Sequence, residues 1–423
     1  MEESYQPRLL DSVLSEYLHE LPAVSIEGAK AVGKTSTASR LAQTVFHVDD
    51  EVTRDMITGD FKRVLDARMP VLLDEWQFAP QLWNKVRRAV DAHTDGRFLL
   101  AGSVYPAGAK IHSGAGRVVF LRMRPLSLIE RQLAAPMVSL KELLAGRVEQ
   151  VRGETEIGYA DYLREIFQSG FPELRSMSPR AAARQLDSYI TSVTNREFVE
   201  GGIEVRRPEH LRNWMRAYSA ASASTAAYEA IRDTASAGQN EKPARNTTLT
   251  YRDLLANMWL LDPIDPWLPL ASPFKEMGKT QKHNLVDVAL AARLLDLTED
   301  TLMDSGSIKT LGPQKKSIIG RLFESLLAQS LQVYSQVIEA RLRHFRSSNG
   351  RYEVDFIVEK GLRVVAIEVK SQAVVKADDV KHLNWLEKTF TDHDITKVIL
   401  NTGPYAYTRE DGVHVIPAVL LGP

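Results

Sequence analysis

The chain contains no cysteine among its 423 residues. Disulfide scaffolds, cysteine-ligated zinc and iron–sulfur sites, and thiol catalysis are therefore all excluded, and a reducing cytoplasm is the expected location. An excess of charge of one sign is also absent, because 53 Lys and Arg residues balance 54 Asp and Glu residues. Any contact with nucleic acid or with an anionic membrane must therefore be local.

Long hydrophobic runs are missing as well. No apolar stretch approaches the ~20 residues of a membrane-spanning helix, and the start, MEESYQPRLLDSVL, lacks the basic-then-apolar pattern of a secretory signal. We therefore expect no membrane association. The 44% hydrophobic and 25% charged residues are typical of a globular protein. A prior of one domain per ~150 residues predicts about three domains.

Residues 1–124 alternate short apolar runs with stretches of helical periodicity. Runs of consecutive apolar residues are typical of parallel strands that are buried on both faces. We therefore predict an α/β domain here, with strands over residues 23–26, 70–74, 97–103 and 118–121.

Residues 125–310 are predicted to be mainly helical. Within them, Tyr251–Leu260 forms a compact apolar helix followed by a proline-rich turn, which is compatible with a winged-helix unit. Residues 311–423 return to an α/β alternation and form a second α/β domain. Its principal strands are predicted over Ile338–Phe345, Glu353–Val358 and Val364–Val369.

A phosphate-binding loop follows the first predicted strand. Gly28–Thr35 matches G-x-x-x-x-G-K-[ST] without a mismatch and opens a helix. In such a loop, backbone N–H groups surround a polyphosphate, Lys34 binds the β- and γ-phosphates, and the Thr35 hydroxyl is a Mg²⁺ ligand. The sequence thus predicts that ATP and Mg²⁺ bind at Gly28, Ala31, Val32, Gly33, Lys34, Thr35 and Ser36.

Two carboxylates follow the next apolar run. Asp74 is predicted to hold Mg²⁺, and Glu75 to polarise the water that attacks the γ-phosphate. Ser103 follows the third apolar run and is a candidate for contacting the γ-phosphate, although a turn serine explains it equally well.

A second group of charged residues lies near the carboxyl end. Because strand side chains alternate with period two, Glu368 and Lys370 point to the same side of one strand, and Asp355 lies on the neighbouring strand. Glu324 on the preceding helix completes a predicted Mg²⁺ site, with Lys370 as a catalytic residue. A half-exposed strand shows the same alternation of charged and apolar residues. An inert ion pair between these side chains is a further alternative to a metal site.

Together these motifs resemble the prokaryotic AAA-type ATP-binding proteins with a C-terminal restriction-endonuclease-like, PD-(D/E)XK, domain of unassigned function. The resemblance implies an AAA-type P-loop ATPase domain, a helical and winged-helix middle and a nuclease-like end. Trp76 departs from the aliphatic residue that many related proteins have there. The matching strings are Gly28–Thr35, Leu73–Gln77, Leu100–Ser103, Gly116-Arg117, Arg124–Ser127 with Glu130, Gly170–Glu173, Lys282–Asp287, Gly320–Glu324, Tyr352–Asp355 and Ile367–Lys370.

Three functional hypotheses therefore stay open. In the first, the chain binds and hydrolyses ATP, and its C-terminal domain binds or cleaves DNA. In the second, ATP or ADP gates a binding module whose nuclease-like domain is an inactive scaffold. In the third, the winged-helix region recruits a partner and binds protein rather than DNA. Arg117 and Arg196 are candidates for an arginine finger. A homo-oligomer is expected if a neighbouring subunit supplies the finger instead.

Overall fold

The computed structural model describes residues 5–92, 96–104, 114–197, 207–237, 244–269, 280–299 and 313–423. No helix within these ranges is both long enough and apolar enough to cross a membrane.

The N-terminal region is built on a parallel five-stranded sheet. Its spatial order is β2-β3-β4-β1-β5, and every neighbouring pair is parallel. The strands are β1 Ala23–Glu27, β2 Thr44–His47, β3 Val71–Asp74, β4 Phe98–Gly102 and β5 Val119–Arg122, and the helices are α1 Leu10–Glu20, α2 Lys34–Ser39, α3 Glu51–Gly59, α4 Lys62–Leu65 and α5 Gln81–Asp91.

Both faces of this sheet are buried, which explains the consecutive apolar residues. Along β3, Leu72 packs into one apolar core while Val71 and Leu73 pack into another on the opposite face. Parallel strands covered on both sides need this pattern. The sequence missed β2, because this strand lies at the sheet edge and Thr44–His47 is only partly buried.

The middle region is mainly helical. Two short extended arms at residues 261–266 and 282–285 are joined by antiparallel bridges between Leu261 and Leu285 and between Ile264 and Lys282, and we call them the hairpin. The elements are β6 Val138–Ser139, α6 Leu140–Leu144, β7 Gly153–Glu154, α7 Tyr159–Phe167, α8 Pro172–Arg175, α9 Pro179–Ser192 with a π-helical end Val193–Glu197, α10 Pro208–Ala220, α11 Tyr228–Ala235, α12 Arg245–Asn257 and α13 Val288–Leu294.

The C-terminal region forms a mixed sheet that a long helix precedes. A meander of β8, β9 and β10 is antiparallel, and β11 then joins β10 in parallel after a helical crossover. The elements are α14 Pro313–Val337, β8 Arg341–Arg346, β9 Glu353–Lys360, β10 Arg363–Lys370, α15 Lys381–Thr389, β11 Asp394–Asn401, β12 Tyr405–Thr408, β13 His414–Pro417 and β14 Leu421–Gly422.

The three regions share backbone pairing and one core. In the C-terminal sheet, β7 of the middle region forms the edge strand beside β12, and β14 pairs with β6. One continuous apolar core contains Leu121 of the first region, Leu186 of the second and Leu326 of the third. The described regions are therefore packed on one another.

Candidate functional site

The loop at residues 28–35 connects β1 to α2, as the motif predicted. A Cβ atom on Gly28 would lie 2.2 Å from the carbonyl oxygen of Met123, so the backbones approach too closely for a side chain there. Gly33 has a φ of 96°, in the left-handed region, which glycine adopts without strain. Ala31 also has a positive φ, 66°.

Lys34 is buried and donates hydrogen bonds to its own loop. Its ammonium group lies 2.9 Å from the carbonyl oxygens of both Gly28 and Ala29. From outside the loop, the buried guanidinium of Arg8 donates to the carbonyl oxygen of Val32 at 2.8 Å. The loop is therefore held by a cation on each side.

The two residues predicted to hold Mg²⁺ in the nucleotide site are in contact. The Thr35 hydroxyl donates to Oδ1 of Asp74 at 2.9 Å, and Asp74 is 4% exposed. Nδ1 of His47, at the end of β2, lies 3.3 Å from the other carboxylate oxygen of Asp74. A hydroxyl beside a carboxylate at the mouth of a phosphate loop is the oxygen donor set that Mg²⁺ prefers.

Glu75 and Ser103 also meet. The Ser103 hydroxyl lies 3.4 Å from Oε2 of Glu75, and the Gln77 amide donates to the same carboxylate oxygen. These residues follow β3 and β4, which are neighbours in the sheet. The structure therefore brings the predicted water-activating carboxylate and the predicted phosphate-contacting serine together at one edge.

Another buried carboxyl group lies next to the loop. Glu27 ends β1, opposite Arg122 of β5 in the sheet register, and is 9% exposed. Burial raises the pKa of Glu27 to about 7, although the charge of Arg122 opposes this shift.

The other residues predicted for the nucleotide site are Ser36 and the two candidate finger arginines. Ser36 is exposed on α2. Arg117, a candidate finger, forms an ion pair with Asp91 at 2.8 Å. The side chain of Arg196, the other candidate, lies outside the described residues.

The glycine cradle, Lys34 and the Thr35–Asp74 contact suit a magnesium-bound nucleoside triphosphate.

A cavity of about 560 Å³ lies at the C-terminal sheet, between α14, the start of β9, the end of β10 and the start of α15. The four residues predicted from the sequence all line it, namely Glu324, Asp355, Glu368 and Lys370. Nζ of Lys370 lies 3.0 Å from Oε2 of Glu368, as period-two alternation predicted.

The sequence did not predict the role of Lys282. This residue belongs to the hairpin, yet its ammonium group lies 2.7 Å from Oε1 of Glu324 and 3.4 Å from Oδ1 of Asp355. The other oxygen of Asp355 accepts a hydrogen bond from the backbone N–H of Val369 at 2.9 Å. Lys282 is 1% exposed, so the pairs that it forms are shielded from water.

Burial and charge both act on these groups. Burial raises the pKa of Glu324, and the nearby charge of Asp355 raises it further, while Lys282 opposes the shift. Burial lowers the pKa of Lys282, but the Glu324 and Asp355 charges outweigh burial and raise it above its ordinary value. The two carboxylates therefore favour the charged form of Lys282.

This arrangement differs from a metal centre. Among the described residues, no group of three or more His, Cys, Asp or Glu side chains is arranged to hold a metal ion. Lys282 lies between Glu324 and Asp355, and Lys370 pairs with Glu368. The cavity as it stands does not fit a metal ion, and the predicted metal roles of these carboxylates stay predictions.

The arginines of β8 have partners. Arg343 pairs with Asp265 at 2.7 Å, and Arg346 lies 4.0 Å from Glu353 and donates to Thr225 at 2.5 Å. These contacts favour a structural role for Arg343 and Arg346.

Three parts of the chain match known protein families. Residues 20–132 match a model described as an AAA domain. Residues 159–301 match a domain of unknown function, DUF8612, and residues 319–421 match another, DUF4143. The N-terminal region is therefore similar to AAA domains. No curated protein sequence matches the chain.

Several solved structures are similar to the chain at low identity. A Walker-type ATPase of Pyrococcus abyssi is 13% identical with a TM-score of 0.39, over 69% of this chain and 97% of that one. The ORC2 protein of Aeropyrum pernix, in ADPNP–ADP complexes, is 14% identical with a TM-score of 0.31, over 72% and 97%. The replication initiator DnaA bound to AMPPCP and single-stranded DNA is 12% identical with a TM-score of 0.23, over 60% and 90%.

Proposed function

We propose that the N-terminal domain hydrolyses ATP with Mg²⁺, and that the C-terminal domain binds or cleaves DNA. The contact between Thr35 and Asp74 carries the first half of this proposal. Phosphoryl transfer needs a phosphate cradle, a metal-binding hydroxyl and carboxylate, and a group that orients water. In this chain these parts lie on the loop after β1 and at the carboxyl ends of β3 and β4.

Each residue has a distinct role in hydrolysis. Magnesium-bound ATP supplies the electrophilic phosphoryl group. The backbone of the loop and Lys34 bind the phosphates, while Thr35 and Asp74 hold the metal ion. Glu75 orients and polarises water, and Ser103 and Gln77 keep its carboxylate in place.

Two variants test the nucleotide half of the proposal. Lys34→Ala removes the cation of the loop and is expected to lower ATP affinity at least about tenfold, by calorimetry. Glu75→Gln is expected to bind ATP but to hydrolyse it at least about a hundredfold more slowly. The exposed residues Lys62 and Glu51 provide matched controls. Hydrolysis that persists at the wild-type rate in Glu75→Gln removes Glu75 from the mechanism.

The nuclease-like interpretation rests on topology and on one cavity. The helix α14 comes first and is followed by the antiparallel meander β8–β10. The crossover helix α15 then leads to β11, which is parallel to β10. This order, with Asp355, Glu368 and Lys370 lining one cavity, supports a PD-(D/E)XK arrangement. We propose residues 311–423 as this domain and residues 1–124 as the ATPase domain.

DNA cleavage is tested by nicking of plasmid, with ATP and Mg²⁺ or Mn²⁺. We expect nicking by the wild type and at least a tenfold loss in Lys370→Ala, as about 1.4 kcal/mol of lost transition-state stabilisation corresponds to tenfold. Lys388→Ala, which alters an exposed lysine on α15, is the matched control. If the wild type and both variants bind DNA and none of them nicks it, the result supports the alternative, a nucleotide-gated binding module.

The middle region, residues 125–310, supports a winged-helix interpretation. Helices α10, α11 and α12 precede the hairpin. The turn at residues 223–224 is bonded to the second arm, because the N–H of Ala223 donates to the carbonyl of His283 at 2.8 Å and the N–H of His283 to the carbonyl of Ser224 at 2.9 Å. The interpretation rests on these three helices and the two-armed hairpin that follows them.

A homo-oligomer is part of the proposal. Arg117 is engaged with Asp91 on α5, so a cation from a neighbouring subunit is our preferred finger. The expected result is a mass above that of a monomer when an ATP analogue is present, together with a specific ATPase activity that rises with protein concentration. A monomeric mass with constant specific activity contradicts this expectation.

A further inference from the structure

The Lys282 ammonium group uses all of its donors inside the protein. Its three acceptors are Oε1 of Glu324 at 2.7 Å, the carbonyl oxygen of Asp355 at 3.1 Å and Oδ1 of Asp355 at 3.4 Å. An ammonium group has three N–H donors, so none is left for a ligand in the cavity. The position between these two carboxylates is thus taken by a cation that belongs to the chain.

The backbone of Lys282 is fixed as well. Its N–H donates to the carbonyl of Ile264 at 2.8 Å, and the N–H of Ile264 donates back to the carbonyl of Lys282 at 2.9 Å. The hairpin is in turn bonded to β8, because the N–H of Trp267 donates to the carbonyl of His344 at 2.7 Å and the N–H of His344 to the carbonyl of Asp265 at 3.1 Å. The hairpin therefore holds Lys282 against the C-terminal sheet.

The ammonium group of Lys370 differs from that of Lys282. It donates to Oε2 of Glu368 at 3.0 Å, and the Lys370 side chain is 29% exposed. Among the described residues, this carboxylate is its one hydrogen-bond acceptor, so two N–H donors remain. Because Lys370 lines the cavity, these donors are available to the oxygens of a bound phosphodiester.

His382, at the start of α15, also lines the cavity. Its Nδ1 lies 2.8 Å from the carbonyl oxygen of Glu353. A carbonyl oxygen only accepts, so Nδ1 carries the hydrogen, and the lone pair of the neutral ring is then on Nε2. Within the part of the chain that the structure describes, Nε2 has no hydrogen-bond partner. This nitrogen is therefore available to accept a proton.

We propose that the C-terminal cavity hydrolyses DNA phosphodiesters without a divalent ion, with His382 as the general base and Lys370 as the cation that binds the phosphate. Lys282 takes the place of a metal ion between Glu324 and Asp355 and is a positioning residue. This inference rests on the proposed nuclease function and names the groups that carry it out.

The reaction is a displacement at phosphorus. Nε2 of His382 accepts a proton from water while the water oxygen forms a bond to phosphorus. The bond between phosphorus and the leaving oxygen breaks, and that oxygen takes a proton from solvent, to which the imidazolium returns one. The products are an alcohol and a phosphate monoester, and nothing is oxidised or reduced. Lys370 stabilises the charge on the non-bridging oxygens.

The first test asks whether full-length wild type nicks plasmid in excess EDTA. An exchange-inert chromium(III)–ATP complex fills the nucleotide site and keeps its own metal ion in the presence of the chelator. The reference reaction contains the same complex with Mg²⁺ in place of EDTA. We expect no loss of nicking rate in EDTA, because the cavity requires no free divalent ion.

The second test replaces the base. In EDTA, His382→Ala is expected to nick at least about a hundredfold more slowly than the wild type. Imidazole added to the solution is expected to restore part of the lost rate, because it enters the vacated space and accepts the proton. His19→Ala is the matched control, since His19 is exposed on α1 and does not line the cavity. This control is expected to keep the wild-type rate and to show no response to imidazole.

Three results would overturn the proposal. The first, which needs no variant, is a wild type that nicks with Mg²⁺ and not in EDTA. The second is a His382→Ala variant that nicks at the wild-type rate in EDTA. The third is a folded His382→Ala variant, checked by its melting curve, whose lost activity imidazole does not restore, because a purely structural histidine would give this result.

Failure of the proposed function would look different. A wild type that nicks plasmid neither in EDTA nor with Mg²⁺ or Mn²⁺ contradicts the nuclease function, and this inference with it. Nicking that requires the added metal ion leaves the nuclease function standing and contradicts the metal-independent mechanism alone.

Discussion

Near the nucleotide loop, Glu27 is the residue whose protonation should depend most clearly on folding. Burial raises its pKa from 4.5 to about 7 in the folded protein. The folded state therefore holds this proton more tightly than the unfolded state. The resulting contribution to stability is complete below about pH 4.5 and is lost as the pH rises through about 7.

Replacing Glu27 with Gln should remove this dependence. Relative to Glu27→Gln, the wild type is expected to lose about 3 kcal/mol of unfolding free energy between pH 4.5 and pH 8. Denaturant unfolding of both proteins across this range measures the difference. Parallel stability curves for the two proteins would contradict the shifted pKa.

Gly28 is constrained by its neighbours rather than by its φ angle. A Cβ atom there would lie 2.2 Å from the backbone oxygen of Met123, and backbone atoms cannot rotate away as a flexible side chain can. Gly28→Ala is expected to cost about 1–3 kcal/mol of stability and to weaken ATP binding. Gly59→Ala, where the added carbon meets no atom within 4 Å, should leave both the melting temperature and ATP affinity close to wild type.

Sequence reasoning reached the residues of the loop but not their partners. The motif names Gly28, Lys34 and Thr35 because the chemistry requires those types at that spacing. Arg8 belongs to no motif, and Lys282 belongs to a matching string without an assigned role. Lys282 also lies 73 positions before Asp355. Such contacts are fixed by tertiary packing, so a local pattern cannot indicate them.

Among the elements, the hairpin depends on buried ion pairs at its base. Burial acts to raise the pKa of Asp262, but the charges of Arg122 and Arg124 outweigh it and hold the pKa below its ordinary value. Asp262→Asn removes the negative charge and leaves two arginines without their partner. A buried pair broken on one side costs about 3–5 kcal/mol.

Thermal and denaturant unfolding of Asp262→Asn measure this loss. The matched control is Asp296→Asn, because Asp296 pairs with Arg216 where both side chains are more than half exposed. Surface pairs contribute about 0–1 kcal/mol. Equal losses in the two variants would show that the ion pairs of Asp262 with Arg122 and Arg124 do not stabilise the hairpin.

The elements themselves were predicted unevenly. Strands β1, β3, β4 and β5 follow from their apolar runs, whereas the edge strand β2 has no such run. The helical crossover between β10 and β11 begins with a 3-10 turn at Ala377–Val380, which α15 follows. Periodicity indicates that a segment is helical, but it does not distinguish tight turns from α-helix at the start.

On the scale of the whole molecule, the predicted division at residues 124 and 310 remains a prediction, and the contacts across it are extensive. The hydroxyl of Tyr162 accepts a hydrogen bond from the N–H of Val419 at 3.0 Å, and the side chain of Gln329 donates to the carbonyl of Leu126 at 3.1 Å. Sequence periodicity assigns residues to elements and regions. It cannot show that one apolar core passes through all three.

Separating the chain after residue 310 therefore tests how independent the C-terminal region is. Residues 311–423 alone would lack β7, which covers the edge of β12, and β6, which pairs with β14. Unpaired strand edges and an uncovered core favour aggregation. We expect the isolated fragment to be insoluble or to unfold without a cooperative transition, and co-expression with residues 1–310 to restore a 1:1 complex. A fragment that is monomeric by size exclusion and melts cooperatively would instead establish residues 311–423 as an autonomous domain. Contact with the hairpin and with Lys282 would then not be required for this domain to fold.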